Sequence, residues 1–138
     1  MSCMSDLELL IEVFGDHFNA GCPVSGKVHL KALKSLNIMK LTLTVRVLEE
    51  IKIYDKNQVR TVTHVFYNAP YLISKDFSLR KNDILTKDFE VVLPLDKPGT
   101  YHGQNASCKW LLVAIVQYGN NKKVEKTVEL FVYSPFYL

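Results

Sequence analysis

A length of 138 residues suits one domain spanning 1–138, and a chain of that size can bury roughly two-thirds of the surface it exposes when unfolded. Hydrophobic residues at 48% and charged residues at 22% exclude a disordered or fibrous chain. The net charge of +3 is too small for a nucleic-acid footprint and favours acidic peptides or anionic lipid surfaces only weakly.

The first six residues hold no basic cluster, and Glu8 and Glu12 interrupt the apolar stretch that follows. That pattern predicts no secretory leader and a cytosolic protein. Leu7, Leu10 and Ile11 fit helical spacing, whereas Leu7, Leu9, Ile11 and Val13 fit a strand; Val13 and Phe14 favour the strand. Gly15 and Asp16 open a loop that residues 21–23 close. Val28, Leu30 and Ala32 then alternate with Lys27, His29 and Lys31, and Leu41, Leu43, Val45 and Val47 with Thr42, Thr44 and Arg46. Successive strand side chains point to opposite faces, so each run predicts one core face and one wet face.

The long strand ends near Tyr54, before a polar turn at residues 55–58. Residues 68–83 keep no period and read as a long loop with a short strand around 77–79. Phe89, Val91 and Leu93 alternate again, and Pro94, Pro98 and Gly99 break the chain. Residues 110–116 are apolar on both faces, as in a central strand covered on both sides, and too few to span a bilayer as a helix. Gly119, Asn120 and Asn121 predict a hairpin into Val128, Leu130 and Val132. No segment carries a capped helix. The predicted class is all-β, an antiparallel β-sandwich.

Several residues are candidates for function. Lys27, His29 and Lys31 on one strand, with Lys34 just beyond, and Lys40 and Arg46 on the next, form either a basic sheet face for acidic or anionic partners or the solvated side of an amphipathic sheet. Tyr54, Phe66, Tyr67, Tyr71 and Phe77 form either a recognition patch or pins that hold the irregular middle to the core. Phe136 and Tyr137, after Pro135, make a short apolar tail that needs something to pack against. Cys22 near His17 and Cys108 near His102 show neither a positioned base with an oxyanion donor nor zinc-ligand spacing. The odd, scattered set Cys3, Cys22 and Cys108 reads as free thiols. Asn105 to Ser107 is a glycosylation triplet that has little weight without a leader. No catalytic residues, cofactor, metal or small-molecule substrate are expected.

Two stretches resemble the arrestin family. In the first, Phe18, Gly21, Val24, Gly26, Val28 and Leu30 follow its aromatic, Gly-turn and Val-x-Gly-x-Val-x-Leu pattern. In the second, Leu93, Pro94, Pro98, Tyr101, Gly103 and Trp110 follow its Leu-Pro, Pro, aromatic-Gly and aromatic-led strand pattern. The resemblance implies an immunoglobulin-like sandwich of the arrestin amino-terminal type, with Trp110 in the core. It also implies a non-enzymatic adaptor or scaffold in membrane-protein trafficking or signalling, cytoplasmic and peripheral at membranes. Its partners would be proteins, such as membrane-protein cytoplasmic tails or coat subunits, with weak anionic membrane contact. The resemblance extends to alpha-arrestins, the arrestin-like retromer subunit and sporulation-control proteins. Two departures stand out: family members usually carry two such domains, and the first strand holds Glu8 and Glu12 where receptor-binding arrestins place phosphate-holding lysines. The alternative is a generic immunoglobulin-like or fibronectin-like module of a surface protein, against which the Cys-Trp-Cys core pattern is missing.

Overall fold

The computed structural model describes residues 6–135, so Cys3, Phe136 and Tyr137 lie outside the described residues. The chain forms strands β1 (Leu7–Val13), β2 (His17–Asn19), β3 (Pro23–Ala32), β4 (Leu36–Asp55), β5 (Gln58–Leu79), β6 (Ile84–Val92), β7 (Tyr101–His102), β8 (Ala106–Tyr118) and β9 (Lys122–Tyr133). One sheet has the order β1-β3-β6. The other has the order β2-β9-β8-β4-β5, with β7 also on β8. β2 pairs with β9 in parallel, and the other pairings are antiparallel.

The alternating runs face each other across the sandwich. Leu41, Leu43, Val45 and Val47 of β4 stand in register with Val116, Ala114, Leu112 and Trp110 of β8. Val24, Val28, Leu30 and Ala32 of β3 and Phe89 and Val91 of β6 supply the other layer of the same buried cluster. Each fully buried valine, leucine or phenylalanine side chain among these stabilises the fold by about 1.5–3 kcal/mol. β8 lies between β9 and β4, as its two-sided apolarity predicts, and Val113 on its outer face is buried among its neighbours. Leu111 and Ile115 on that face stay partly exposed, so among the described residues no second layer covers it, which corrects the expected cover on both sides.

Trp110 is 0% exposed, and its indole N–H donates to the Pro98 carbonyl at 2.8 Å. Pro98 belongs to the segment that carries the chain from β6 in one sheet to β7 in the other. The same segment is fastened to β9: the Thr100 amide donates to the Val132 carbonyl at 2.8 Å, and the Thr100 hydroxyl accepts from the Val132 amide at 2.9 Å. Gly21 has φ 84°, the left-handed turn its position predicts.

Residues 68–79 correct the expected long loop: they are the second half of the edge strand β5. The register slips between Leu41 and Thr42 and between Val47 and Leu48, which leaves Ile73 and Phe66 as extra residues on β5. Asp76 adds a positive φ of 55°. Each bulge moves the inward set to the other parity. The residues that share a side with the β4 core set run Tyr67, Ala69, Tyr71, then Ser74, then Phe77 and Leu79. The absence of a sustained period is therefore the signature of an interrupted strand. Phe66, Tyr67, Tyr71 and Phe77 pack against the core, while Tyr54 stays exposed.

The start of β1 is clamped to the far sheet. The Tyr118 hydroxyl donates to Asp6 at 2.8 Å, and Lys34 and Lys122 approach the same carboxylate at 3.1 and 3.6 Å. The Tyr118 hydrogen bond, followed by that from Lys34, holds Asp6 below the ordinary carboxylate range. A depressed folded value means that the stabilisation is complete above the ordinary range and is lost as pH falls through the folded value. Asp6→Asn should lower the urea midpoint at neutral pH, and the gap to the parent should close on acidification. A gap of constant size at every pH would contradict this clamp.

Candidate functional site: the outer face and free edge of the three-stranded sheet

The structure separates the residues expected to form one basic face. Lys27, His29 and Lys31 lie on β3 in the three-stranded sheet. Arg46 lies on β4 in the other sheet, where its Nε donates to Asn68 at 2.9 Å. Arg46 alternates with the inward β4 set and the three β3 residues with theirs, so the two groups point out of opposite sides of the sandwich. Lys34 is engaged at Asp6.

Nor is the β3 face basic. Across the sheet, Lys31 stands between Glu8 and Ile84, His29 between Leu10 and Thr86, Lys27 between Glu12 and Asp88, and Ser25 beside Glu90. The Lys27 ammonium reaches Asp88 at 3.3 Å. His29 meets Glu12 through Nε2 and Thr86 through Nδ1, both at 3.0 Å. Glu8, Glu12, Asp88 and Glu90 thus outnumber Lys27 and Lys31. The exposed lysine pair contributes little stability, but the ladder fixes the sign of the face. The even positions of β1, Glu8, Leu10 and Glu12, were legible as a wet set. Their register with β3, which brings the charges together, was not.

At the end of the face where β6 begins, a cavity of about 390 Å³ is lined by Glu8, Leu9, Leu10, His29, Leu30, Lys31 and Ile84. Leu10 and Ile84 are 55% and 66% exposed, an apolar pair beside both signs of charge. The adjoining edge is open. The Phe14 amide donates to the Ser25 carbonyl, and Asp6 accepts from the Leu33 amide, both in the register of the β1–β3 pairing. Backbone groups alternate in an antiparallel pair, so even-numbered residues of β1 face β3. Leu7, Leu9, Ile11 and Val13 turn their N–H and C=O groups outward. Among the described residues no strand pairs with that edge.

The cysteine–histidine pairs do not assemble. The Cys108 thiol is buried against the Pro98 carbonyl at 3.7 Å, and burial pushes it up to about 11, an unreactive thiol. His102 engages Glu129 at 3.1 Å. His17 meets the Phe131 ring edge-on at 4.9 Å. A second cavity, of about 320 Å³, lies where the β4–β5 hairpin meets the turn before β8, and the Lys109–Glu50 ion pair at 2.8 Å sits in its wall. What the first face offers is backbone hydrogen bonding, apolar contact and charge.

Among solved structures, the chain is similar over 94% of its length to Spo0M, a sporulation control protein from Bacillus subtilis, with a TM-score of 0.74 at 16% identity. The fold is arrestin-like. This arrestin-like chain spans about half of the Bacillus protein, 50% of its length. No family model matches the sequence, and no curated protein matches it. The likeness therefore rests on strand order and geometry.

Proposed function

We propose that this arrestin-like domain is a non-enzymatic adaptor that holds an extended segment of a partner protein along the free edge of β1. The observation that carries this reading is the outward-facing backbone of Leu7, Leu9, Ile11 and Val13 beside the Leu10–Ile84 cavity. An added strand gains main-chain hydrogen bonds there, and alternate side chains gain specificity. The excess of carboxylates on the neighbouring face favours a segment carrying lysine or arginine over an acidic tail or an anionic membrane. Cytoplasmic tails of membrane proteins and subunits of coats are partners of this form, and trafficking or signalling is the setting the arrestin-like fold suggests. The regulatory role in the name of the Bacillus protein fits a binding function as well.

The test is affinity capture from the native cytosol with mass-spectrometric identification, comparing the parent with two variants. Leu10→Asp combined with Ile84→Asp removes the apolar pair at exposed positions. Leu9→Pro removes one outward N–H at an edge, where proline is tolerated. Partners with basic extended segments should be recovered by the parent and lost from both variants, while circular dichroism shows the fold retained. Equal recovery by all three proteins, or no specific recovery by the parent, would overturn the reading.

A further inference from the structure

The β4–β5 hairpin outruns its sheet. Pairing with β8 stops at Ile51 opposite Ala106, while β4 and β5 stay paired as far as Asp55 opposite Gln58. Beyond Ile51 the hairpin is a two-stranded ribbon, a form that is marginal in water on its own. It nevertheless exposes Ile53, Tyr54 and Val59, with Ile51 and Val62 exposed at its base and Val65 exposed just below, opposite Leu48. The outer edge of β5 along this stretch has no paired strand among the described residues. An uncovered edge of alternating β-branched residues without proline is a template for another strand.

Two facts identify which strand. The first is the direction of the backbone groups. Asp55 and Gln58 flank a two-residue turn, so they form a hydrogen-bonded pair, and alternation follows from there. Val62 faces β4, and Val59, Thr61, Thr63 and Val65 present their N–H and C=O groups outward. On the other side of the ribbon the Lys52 amide, in the same alternation as its neighbour Thr61, donates away from β5 to the Asn105 carbonyl at 2.7 Å. The second fact is the sequence of that edge. Residues 59–65 read Val-Arg-Thr-Val-Thr-His-Val, the same pattern of residue types in both directions about Val62.

We propose that this edge pairs antiparallel with the same edge of a second copy of the chain, about a two-fold axis at Val62. In that register Val59 hydrogen-bonds with Val65 of the second copy and Thr61 with its Thr63, and Val62 stands opposite its counterpart. The rows continue across four strands. One face gains an unbroken apolar row, Ile51 and Val62 followed by Val62 and Ile51 of the second copy. On the other face Tyr54 and Val59 run on to Val65 and Leu48 of the second copy, and the row that begins with Lys52 ends with its Glu50. Valine–valine and threonine–threonine neighbours are favourable cross-strand pairs. Moving the axis by one residue sets Val62 against Arg60 or His64, so the sequence selects this register. The contact is isologous and closes on itself as a dimer. It leaves the β1 edge of both copies free, so it stands or falls apart from the binding role proposed above.

Sedimentation of the full chain over a range of concentrations tests the proposal. The parent should form a dimer. Val62→Lys places two like charges opposite each other on the axis and should abolish that dimer with the circular dichroism spectrum unchanged, because Val62 is outside the buried core. Geometry is tested in a Cys3→Ser, Cys22→Ser background under copper–phenanthroline oxidation. A non-hydrogen-bonded pair sits at a Cα separation of about 4.5 Å, within disulfide reach. Val62→Cys should therefore cross-link to its own counterpart. Val59→Cys should not, until Val65→Cys is added. A parent that stays monomeric throughout, a dimer that survives Val62→Lys, or Val59→Cys cross-linking as readily as Val62→Cys would each overturn the proposal.

Discussion

Trp110→Ala should lose about 3–5 kcal/mol of unfolding free energy, read from urea denaturation. Two effects combine at this position. The indole is fully buried among the β4 and β8 core residues, and its removal leaves a cavity that the surrounding strands cannot close. Its N–H also donates to the Pro98 carbonyl, which anchors the crossing between the sheets. Trp110→Phe separates the two contributions, since it keeps most of the packing and gives up the hydrogen bond. Its loss should be smaller, with the remaining deficit set by a Pro98 carbonyl left with only the weak Cys108 thiol as donor. A domain with total stability of about 5–15 kcal/mol would be left marginal by the alanine variant. An unchanged urea midpoint would show that the indole does not fill the core as described.

Gly26→Ala should cost about 3 kcal/mol, the upper end of the overpacking range. Gly26 sits mid-strand in β3 between β1 and β6. A Cβ there would collide with the Glu12 carbonyl oxygen and come within 2.8 Å of the Phe89 ring. A ring can turn aside, but a carbonyl within the β1–β3 ladder cannot. The methyl group therefore forces β1 away from β3, so the loss should appear as early exchange of the β1 amides as well as a lower midpoint. By contrast, Gly119→Ala meets no neighbouring atom, and its cost is limited to the positive φ of 56°. Equal losses at the two glycines would show that backbone conformation, not close approach, is the reason for Gly26.

Much of the fold was legible because its strands keep period two where they bury one face. The inward sets on β3, the second half of β9 and the stretch Leu41, Leu43, Val45 and Val47 are all readable in this way, and the two prolines mark the crossing. The reading failed on β5 for a stated physical reason: Phe66, Ile73 and Asp76 each shift the parity, and no single-residue pattern reveals a bulge. The short strands β2 and β7 were also missed, because three and two residues are too few to show a period. For the candidate site, sequence placed residues on the correct face of their strand but gave them the wrong neighbours. Lys27, His29 and Lys31 are where alternation places them, but their character is set by Glu8, Glu12 and Asp88, which only register brings alongside. Arg46 was grouped with them because the next strand in sequence was taken as the next in space, whereas β4 belongs to the other sheet.

The strand order also constrains how the domain can be made. β2 pairs with β9, and Asp6 bonds Tyr118 across 112 residues of sequence. At roughly 5–20 residues per second of synthesis, the partners of the amino-terminal strands arrive on the order of ten seconds after them. During that interval the apolar face of β3 has no opposite sheet to cover it. Structures dominated by such distant pairings close slowly even when the whole chain is available. The nascent domain should therefore gain from being shielded until β8 and β9 emerge, with cellular yield rising when holding chaperones are supplied.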